Sequence, residues 1–461
     1  MNILLLIPNS RDIYRCIPLG LLYIASVLRK EEENRLKIID ARNEQLGHKE
    51  IIKRIKDFSP EVIGISGLSM EADEIHKLAQ LAKEVCPGCK VIIGGPYASS
   101  SPESVVDDLN IDFAVVGEGE QTTLKLIDAL KNGGQISDID GLAFKHNGRT
   151  VINPRHKTVE DLDSILFPSW DLIDVEGYFN SRYRSSENPI PVSSRILPVL
   201  TSRGCPYQCI YCHNIFGKSI RLRSVGSVVE EIELLVAKYN VSEIEVVDDC
   251  FNFDLKRAKG ICDEIISRGI KINLSFPNGL RVDRMDEELV DKLKQAGTYM
   301  IYYAIESASP QVQKRIKKNL DLEKARRIID YTRKQNIITC GTFMLGFPQE
   351  TKEQMLQTVK FAQEAGFDIA NFYYVVPYPN TVLFKELKLS DGDVRSMRPY
   401  SFLNLSFNSS CVSDGELRAI WAKAYRGFYL RFFQAWRIYR VVRRKKVLLR
   451  NAFNTLKRCG V

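Results

Sequence analysis

The sequence predicts an α/β protein: an N-terminal doubly wound parallel sheet of Rossmann or flavodoxin type, a six-stranded partial (β/α)6 barrel, and a C-terminal helical region. Three observations carry this. Over the first 130 residues short apolar runs alternate with amphipathic stretches. The same alternation resumes at Leu197 for six more strands, and from Trp421 aromatics recur at helical spacing. A chain of 461 residues has room for two or three domains. The expected division is 1–150, a linker over 151–195, a barrel over 196–395, and a basic, aromatic-rich helical region over 396–461.

In the first domain the strand candidates are Ile3 to Ile7, Leu36 to Ile39, Val62 to Ile65, Val91 to Ile93 and Phe113 to Val116. Helix candidates lie near 19–30, 49–57, 72–85, 102–109 and 121–131. Ligands of such sheets sit beyond the carboxyl ends of the strands. Here those ends carry Ser66-Gly67-Leu68, Gly94-Gly95-Pro96 and Gly117-Glu118-Gly119-Glu120, where glycine lets backbone approach a ligand closely. Residues 151–195, rich in Pro, Ser and Arg with few periodic runs, read as a linker. The second set of strands is expected at 197–201, 244–248, 271–276, 299–305, 339–345 and 370–376. Helices are expected near 225–239, 255–268, 286–296, 321–335 and 352–365, an order that favours a partial barrel with its site again at the carboxyl ends.

Composition removes several function classes. Hydrophobic residues make up 44% and charged residues 26%, values of a folded globular chain. The net charge of +8 belongs to the tail: residues 417–461 hold thirteen Lys or Arg and no acid, leaving 52 basic against 57 acidic groups before them. No nucleic-acid partner is expected, since no RNA-binding module is recognisable. No run of about 18 apolar residues exists and no basic prelude precedes Ile3, so the expected location is cytoplasmic. Eleven cysteines without a secretory signal suggest reduced thiols, which more often bind metal when clustered.

Three of them cluster tightly in Arg203-Gly204-Cys205-Pro206-Tyr207-Gln208-Cys209-Ile210-Tyr211-Cys212, a CxxxCxxC directly after the first barrel strand. Spacings of four and three residues let one short loop wrap three thiolates around a cubic iron-sulfur cluster. Ordinary [4Fe-4S] clusters take four cysteines, so three leave one iron open, as a reactive site requires. A zinc knot would need a fourth nearby Cys or His, and His213 is badly placed for it.

The motif resembles the signature of the radical S-adenosylmethionine superfamily, down to the aromatic Tyr211 before the last cysteine. The resemblance implies Cys205, Cys209 and Cys212 as cluster ligands, with the open iron chelated by the amine and carboxylate of S-adenosylmethionine. Reduction would then break a sulfur–carbon bond to give a 5′-deoxyadenosyl radical. It also implies cofactor contacts at later strand ends: Tyr211, Asp248 and Asp249, Asn278 with Gly279 and Arg281, Glu306 and Ser307, and Gly341 to Gly346. Phe347-Pro348-Gln349-Glu350-Thr351 and Pro377-Tyr378-Pro379 complete the set. Read singly, the acids are ordinary helix caps and Gly-Phe-Pro an ordinary turn. Ala304, Ala308, Gln349 and Asn380 depart from the family, which tends to have glycine there.

The N-terminal domain is similar to the cobalamin-binding domains fused to a branch of this superfamily, through Pro18-Leu19-Gly20-Leu21 and the strand-end motifs. This implies Ser66, Leu68, Gly94, Gly95, Pro96, Gly117, Glu118, Gly119 and Glu120 as cobalamin contacts. The histidine loop DxHxxG of other cobalamin proteins is missing; Pro8-Asn9-Ser10-Arg11-Asp12 stands there instead. The other readings are a sheet that binds nothing, or a dinucleotide fold, though no GxGxxG follows the first strand.

The implied function is a cobalamin-dependent radical enzyme with a [4Fe-4S] cluster, S-adenosylmethionine and cobalamin, methylating an unactivated carbon or phosphorus centre of a small-molecule or lipid-like substrate. Its partner would be a reducing electron-transfer protein. The alternatives are a non-methylating cyclase or oxidase, and a binding or sensor protein that keeps its cluster. Cys86-Pro87-Gly88-Cys89 fits a turn better than a redox site, and Cys250 reads as a buried thiol or one facing the site. Trp421, Tyr425, Phe428, Phe432, Trp436 and Tyr439 form one helical stripe that either packs on the barrel or, with Arg443-Arg444-Lys445-Lys446, meets a membrane surface at the inner face.

Overall fold

The structure, a computed structural model, describes residues 1–9, 17–155, 158–180, 190–213, 215–390, 392–393, 403–430, 436, 439–440 and 445. It divides into two compact units, Met1–Ser185 and Ser186–Val461.

The first unit is built on a seven-stranded sheet: β1 (Asn2–Ile7), β2 (Arg35–Asp40), β3 (Val62–Ser66), β4 (Lys90–Gly94), β5 (Phe113–Val115), β6 (Leu142–His146) and β7 (Arg149–Ile152). Their order is β2-β1-β3-β4-β5-β6-β7. The first five are parallel, buried apolar runs, and the order reverses beside β1, which puts the switch point at the ends of β1 and β3. β6 and β7, which the sequence reading lacks, form an antiparallel hairpin. Asn147 (φ 51°) and Gly148 (φ 73°) make its turn with both central residues left-handed, the backbone that matches strand twist. The helices are Leu19–Leu28, His48–Phe58, Ala72–Val85, Gly95–Ser100, Pro102–Val106 and Gly119–Asn132.

Within the expected linker, residues 162–180 instead pack on this unit as short helical turns Leu162–Ser164, Trp170–Leu172 and Val175–Asn180. Leu162, Trp170, Val175, Tyr178 and Phe179 are all buried. The Ser169 N–H donates to the Leu22 carbonyl (3.2 Å), and Asp171 pairs with Arg29 (2.8 Å). The apolar residues fall at irregular intervals, so the packing leaves no periodic trace.

The second unit holds six parallel strands: β8 (Ile196–Val199), then, beyond the short antiparallel ribbon of β9 (Ser202–Arg203) and β10 (Arg221–Leu222), β11 (Glu243–Val246), β12 (Asn273–Leu280), β13 (Thr298–Glu306), β14 (Ile338–Leu345) and β15 (Ile369–Tyr374). They follow one another in the order β15-β14-β13-β12-β11-β8, an open barrel with β8 and β15 at its edges. The intervening helices Val225–Tyr239, Leu255–Ser267, Glu287–Gln295, Leu322–Lys334 and Lys352–Glu364 begin at Ser224, Asp254, Asp286, Asp321 and Thr351. Each of these side chains accepts the backbone N–H three residues on, so these acids and hydroxyls fix where the helices start.

The helix Asp414–Tyr429 lies along β15. The Trp421 indole N–H donates to the Phe372 carbonyl (2.9 Å) and the Tyr429 hydroxyl to that of Ala370 (2.9 Å). The N–H groups of Ala370 and Phe372 donate to the hydroxyls of Tyr429 (3.1 Å) and Tyr425 (3.2 Å). Side chains thus satisfy backbone groups that an edge strand leaves open. Of the aromatic stripe, Trp421, Tyr425 and Phe428 pack on the barrel, while Trp436 and Tyr439 are exposed. Phe432, Arg443, Arg444 and Lys446 lie outside the described residues. Among the described residues no helix is long and apolar enough to cross a membrane.

Candidate active site

The ribbon β9–β10 closes the neck of the loop 204–220, which carries the three candidate thiols. Gly204 (φ 87°) makes this possible: the Ser219 carbonyl occupies the place of a Cβ, so a side chain there would force the neck apart. The Cys205 N–H donates to the Gly217 carbonyl (3.3 Å), and the Asp249 carboxylate accepts the Gly204 N–H. The far side of the loop is clamped from two other strand ends. The Arg281 guanidinium stacks on the Tyr207 ring at 3.7 Å and reaches the Lys318 carbonyl (2.6 Å), while Arg284 donates to the Tyr207 hydroxyl (2.9 Å). Ile210 is held at both backbone groups, by Ile316 (3.2 Å) and Leu383 (2.8 Å).

The thiols themselves differ. Cys205 is held down to about 6 by a hydrogen bond from the Cys250 thiol, against its burial, and by the Tyr207 backbone N–H. Cys212 is pushed up to about 12 by the protein around its sulfur and by the charges of Cys209 and Cys205. Cys250 is buried and its thiol is pushed far up, first by its bond to Cys205.

The strand ends gather round this loop. Asp248 is consumed by structure: its buried carboxylate accepts the Thr201 N–H (2.6 Å) and the hydroxyls of Thr201 (2.5 Å) and Ser202 (2.6 Å), tying β11 to the start of the loop. Asp249 beside it is exposed, yet the mass of protein around it and the Asp248 charge raise it to about 6. Asn278 donates to the Val247 carbonyl (2.7 Å). Glu306 ends β13 at a register shift with φ 67°, a backbone that L-residues seldom adopt. Burial raises its carboxyl, while Lys318 (3.4 Å) and the Tyr211 hydroxyl stabilise the charge. Tyr211 packs against Phe347 at 5.7 Å, which joins the cysteine loop to the end of β14.

Other expected positions turn inward. Ser307 is buried against Thr358 (3.2 Å). The rings of Phe343 and Phe367 fill the space above Gly341, and Leu417 lies over Gly346. Glu350 is buried, with one oxygen accepting the Gly346 (2.9 Å) and Phe347 (3.0 Å) N–H groups and the other without a partner; burial lifts it to about 7. Gln349 (φ 57°) and Asn380 (φ 65°), which stand in place of the family's glycines, keep the left-handed backbone that glycine supplies. Lys318 and Arg284 carry no sequence signal, because loop closure brings them to the site, and Tyr207, inside the cysteine motif, is singled out only by the two arginines that meet it.

At the first sheet the three strand-end motifs are stitched together. Ser66 and Gly94 are register partners on β3 and β4. Gly95 (φ 81°) leaves no room for a Cβ, which would stand 2.6 Å from the Ser66 hydroxyl, whereas Gly94 faces open space. The Tyr97 N–H, one residue past Pro96, donates to the Gly67 carbonyl (3.1 Å), the Ser99 hydroxyl to that of Gly95 (2.9 Å), and the Gly117 N–H to the Ser99 hydroxyl (2.9 Å). The Leu68 N–H is taken by Glu71 (2.9 Å), whose other oxygen pairs with Arg42 (2.6 Å). Glu118 is buried in an ion pair with Arg155, which also covers Gly117. Glu120 is buried in the helix begun by Gly119, where Ile24 needs the missing side chain's place. Cys86 and Cys89 sit at a turn, with the buried Cys89 pushed up to about 11, the reverse of a reactive thiol.

Among the described residues no three His, Cys, Asp or Glu side chains converge as ligands of one metal ion. A cubic cluster asks for something else, three sulfurs around a wider body, each on its own iron. The loop supplies three thiols free of disulfides that repel one another as thiolates, a repulsion that a cationic iron core offsets. The donor set fits such a cluster. The open face of Gly94, where nothing stands within 4 Å, likewise fits a ligand held against backbone.

The family model described as the radical SAM superfamily matches residues 199–362, and that of the B12 binding domain matches 13–127. An uncharacterized methyltransferase of Pyrococcus horikoshii is 33% identical over 442 residues, covering 94% of this chain and 93% of its own. The chain belongs to the cobalamin-binding branch of the radical S-adenosylmethionine superfamily. The cytidylyl-2-hydroxyethylphosphonate methyltransferase of Streptomyces wedmorensis is 32% identical, covering 84% of this chain and 81% of its own. The fold is that of the radical S-adenosylmethionine methyltransferase TsrM from Kitasatospora setae, solved with cobalamin and a [4Fe-4S] cluster bound (TM-score 0.69, 19% identity, 85% of this chain and 75% of that one). As a member of this branch the chain is a radical S-adenosylmethionine enzyme of the methyltransferase kind, with a B12-binding domain.

Proposed function

We propose that the chain methylates an unactivated carbon or phosphorus centre of a small molecule. The observation that carries this reading is the pairing, in one chain, of a three-thiol loop with a glycine cradle in a B12-binding domain. When bound, the cluster with S-adenosylmethionine supplies a reductively made carbon radical, and the corrinoid supplies a transferable methyl group.

The residues divide the remaining work. Cys205, Cys209 and Cys212 would hold three corners of the cluster and leave the fourth for the amine and carboxylate of S-adenosylmethionine. Asp249, the exposed acid of its pair, would accept a hydrogen bond from that amine, while Asp248 holds the strand end in register. Tyr211 spans Glu306 and Cys209, so the Glu306 carboxylate has its charge set by Lys318 and that hydroxyl. At the first sheet, Gly94 would give the corrinoid close backbone, and the pairs Glu118–Arg155 and Glu71–Arg42 keep the surrounding charges satisfied within the protein.

The test is anaerobic reconstitution with iron, sulfide and corrinoid, followed by reduction in the presence of S-adenosylmethionine carrying a deuterated methyl group. The expected result is 5′-deoxyadenosine together with labelled methylcorrinoid. 5′-Deoxyadenosine without label on the corrinoid would turn the reading to a non-methylating cyclase or oxidase. Zinc in the site, or a cluster that yields no 5′-deoxyadenosine, would overturn it.

A further inference from the structure

The inner wall of the barrel changes character partway up. Its outer face is settled by packing: the Tyr303 hydroxyl bonds to that of Thr332 on the helix Leu322–Lys334 (2.7 Å), and the Phe343 ring stacks on Phe372 (5.4 Å), which meets Tyr425. Side chains one position away on each strand therefore face inward. Lowest on that wall, the register partners Tyr302, Cys340 and Ile369 pack with Ile190 and Val192 into an apolar floor. Highest, Met344, the partner of Tyr373, packs against the cluster that holds Ile210 of the cysteine loop and Phe347. Between floor and loop, register sets Ala304, Thr342 and Asn371 side by side on β13, β14 and β15. On these three strands only Ala304, Thr342, Met344, Ile369, Asn371 and Tyr373 are partly exposed, and every other residue is buried. The opening thus lies on the inner face, above the floor. The Thr342 hydroxyl and the Asn371 carboxamide make no hydrogen bond among the described residues. On β12, Gly279 continues the row, since a Cβ there would stand 3.6 Å from that of Ala304. Neither this row nor the pair Met344 and Tyr373 carries a charge, and the nearby Glu306 and Lys318 are spent on each other (3.4 Å).

We propose that Thr342 and Asn371 are specificity-determining residues of the substrate site, selecting a neutral group that both donates and accepts hydrogen bonds, an amide or a hydroxyl, over a carboxylate or phosphate. A few convergent polar groups on an otherwise apolar wall are what fix a small ligand's orientation. The carboxamide and the hydroxyl each offer a donor and an acceptor. An anion would meet their oxygen lone pairs and lose its hydration with no cation in the row to replace it. Gly279 and Ala304 leave room for the substrate's body, and Met344 and Tyr373 give an apolar or flat part a surface beneath the cysteine loop. The proposal deepens the proposed function and rests on it, because the wall belongs to a substrate only if the loop above it carries the radical chemistry.

The experiment is an anaerobic saturation-transfer NMR titration of the reconstituted full chain, with S-adenosylmethionine present, against phenylacetamide and phenylacetate, two probes of one shape that differ in charge. Wild type, Asn371→Leu and Thr342→Val are compared. The wild type should bind the amide about tenfold more tightly than the carboxylate. Asn371→Leu should lose about tenfold and Thr342→Val about threefold for the amide, the effect of one or two hydrogen bonds, with the carboxylate unmoved. Should Asn371→Leu fail to retain iron, the preference in Thr342→Val decides. Equal binding of the two probes by the wild type, binding of neither, or a preference that survives the substitutions overturns the inference. Reduction of the same wild-type samples keeps the two readings apart. 5′-Deoxyadenosine formed without discrimination between the probes overturns the inference and leaves the proposed function standing. Discrimination without 5′-deoxyadenosine overturns the proposed function, and with it the assignment of the row to a substrate.

Discussion

Both parallel sheets end in loops that gather toward a ligand, but they do so by opposite means. At the first sheet the loops after β3, β4 and β5 offer backbone and absent side chains: Gly94 opens on empty space, Gly95 and Gly117 are left-handed, and the nearby carboxylates of Glu71 and Glu118 are tied up in ion pairs with Arg42 and Arg155. At the second sheet the loops offer donor atoms, three thiols and the acids of β11 and β13. On the proposed reading, one end would hold its cofactor by shape, the other by bonds. The first should fail when an atom is added and the second when one is removed.

Four substitutions probe that contrast. Cys209→Ala should abolish iron retention and lower 5′-deoxyadenosine formation by about a hundredfold or more, with corrinoid uptake unchanged, read by iron analysis and chromatography. Gly94→Leu adds a side chain where nothing stands within 4 Å and φ is ordinary. It should leave the melting temperature close to the wild type, within the ~0.5 kcal/mol of an exposed site. Retained corrinoid should fall by about tenfold, in absorbance spectra, as expected when a side chain fills a cavity shaped for a ligand. Equal loss of iron and corrinoid in either variant would erase the distinction.

Glu350→Gln sharpens the contrast through pH. The buried acids Glu71 and Asp40 of the first sheet face Arg42 and Tyr178, whereas Glu350 has only backbone N–H partners and stands at about 7. Its folded value lies above the unfolded one, so the folded chain keeps a proton that the unfolded chain has released. The associated stability is present below about pH 4.5 and is lost as pH rises to about 7, about 3 kcal/mol in all. Glutamine should flatten that slope in melting temperature measured against pH, while the loss with pH persists in the wild type. The smallest effect concerns the edge of the barrel. Tyr425→Phe removes the hydroxyl that accepts the Phe372 N–H and should cost about 1 kcal/mol in denaturant unfolding, with iron and corrinoid unaffected.

The sequence made legible what local chemistry writes into it. Buried apolar runs marked the parallel strands of both sheets, whereas Thr351, read with the cofactor segment, proves to be the cap of the helix Lys352–Glu364. The cysteine spacing marked the loop. The hairpin β6–β7 escaped because Arg149–Ile152 carries no apolar alternation, although Asn147-Gly148 is a hairpin turn signal. Trp170 and Tyr178 escaped because their burial follows no period. The partners that set charge in the site, Lys318 for Glu306 and Arg155 for Glu118, come from loops whose closure depends on tertiary contacts. Gln349 and Asn380 looked like departures only because residue type was read instead of the backbone shape it must adopt.

Glu306 carries a cost in the same currency. At φ 67° it holds a shape that glycine adopts freely and that costs other residues about 1–3 kcal/mol. Glycine at 306 would relieve that strain, but it would also leave Lys318 buried without its carboxylate. The acid and its lysine are therefore one unit, and E306G should melt no higher than the wild type even though its backbone is relaxed.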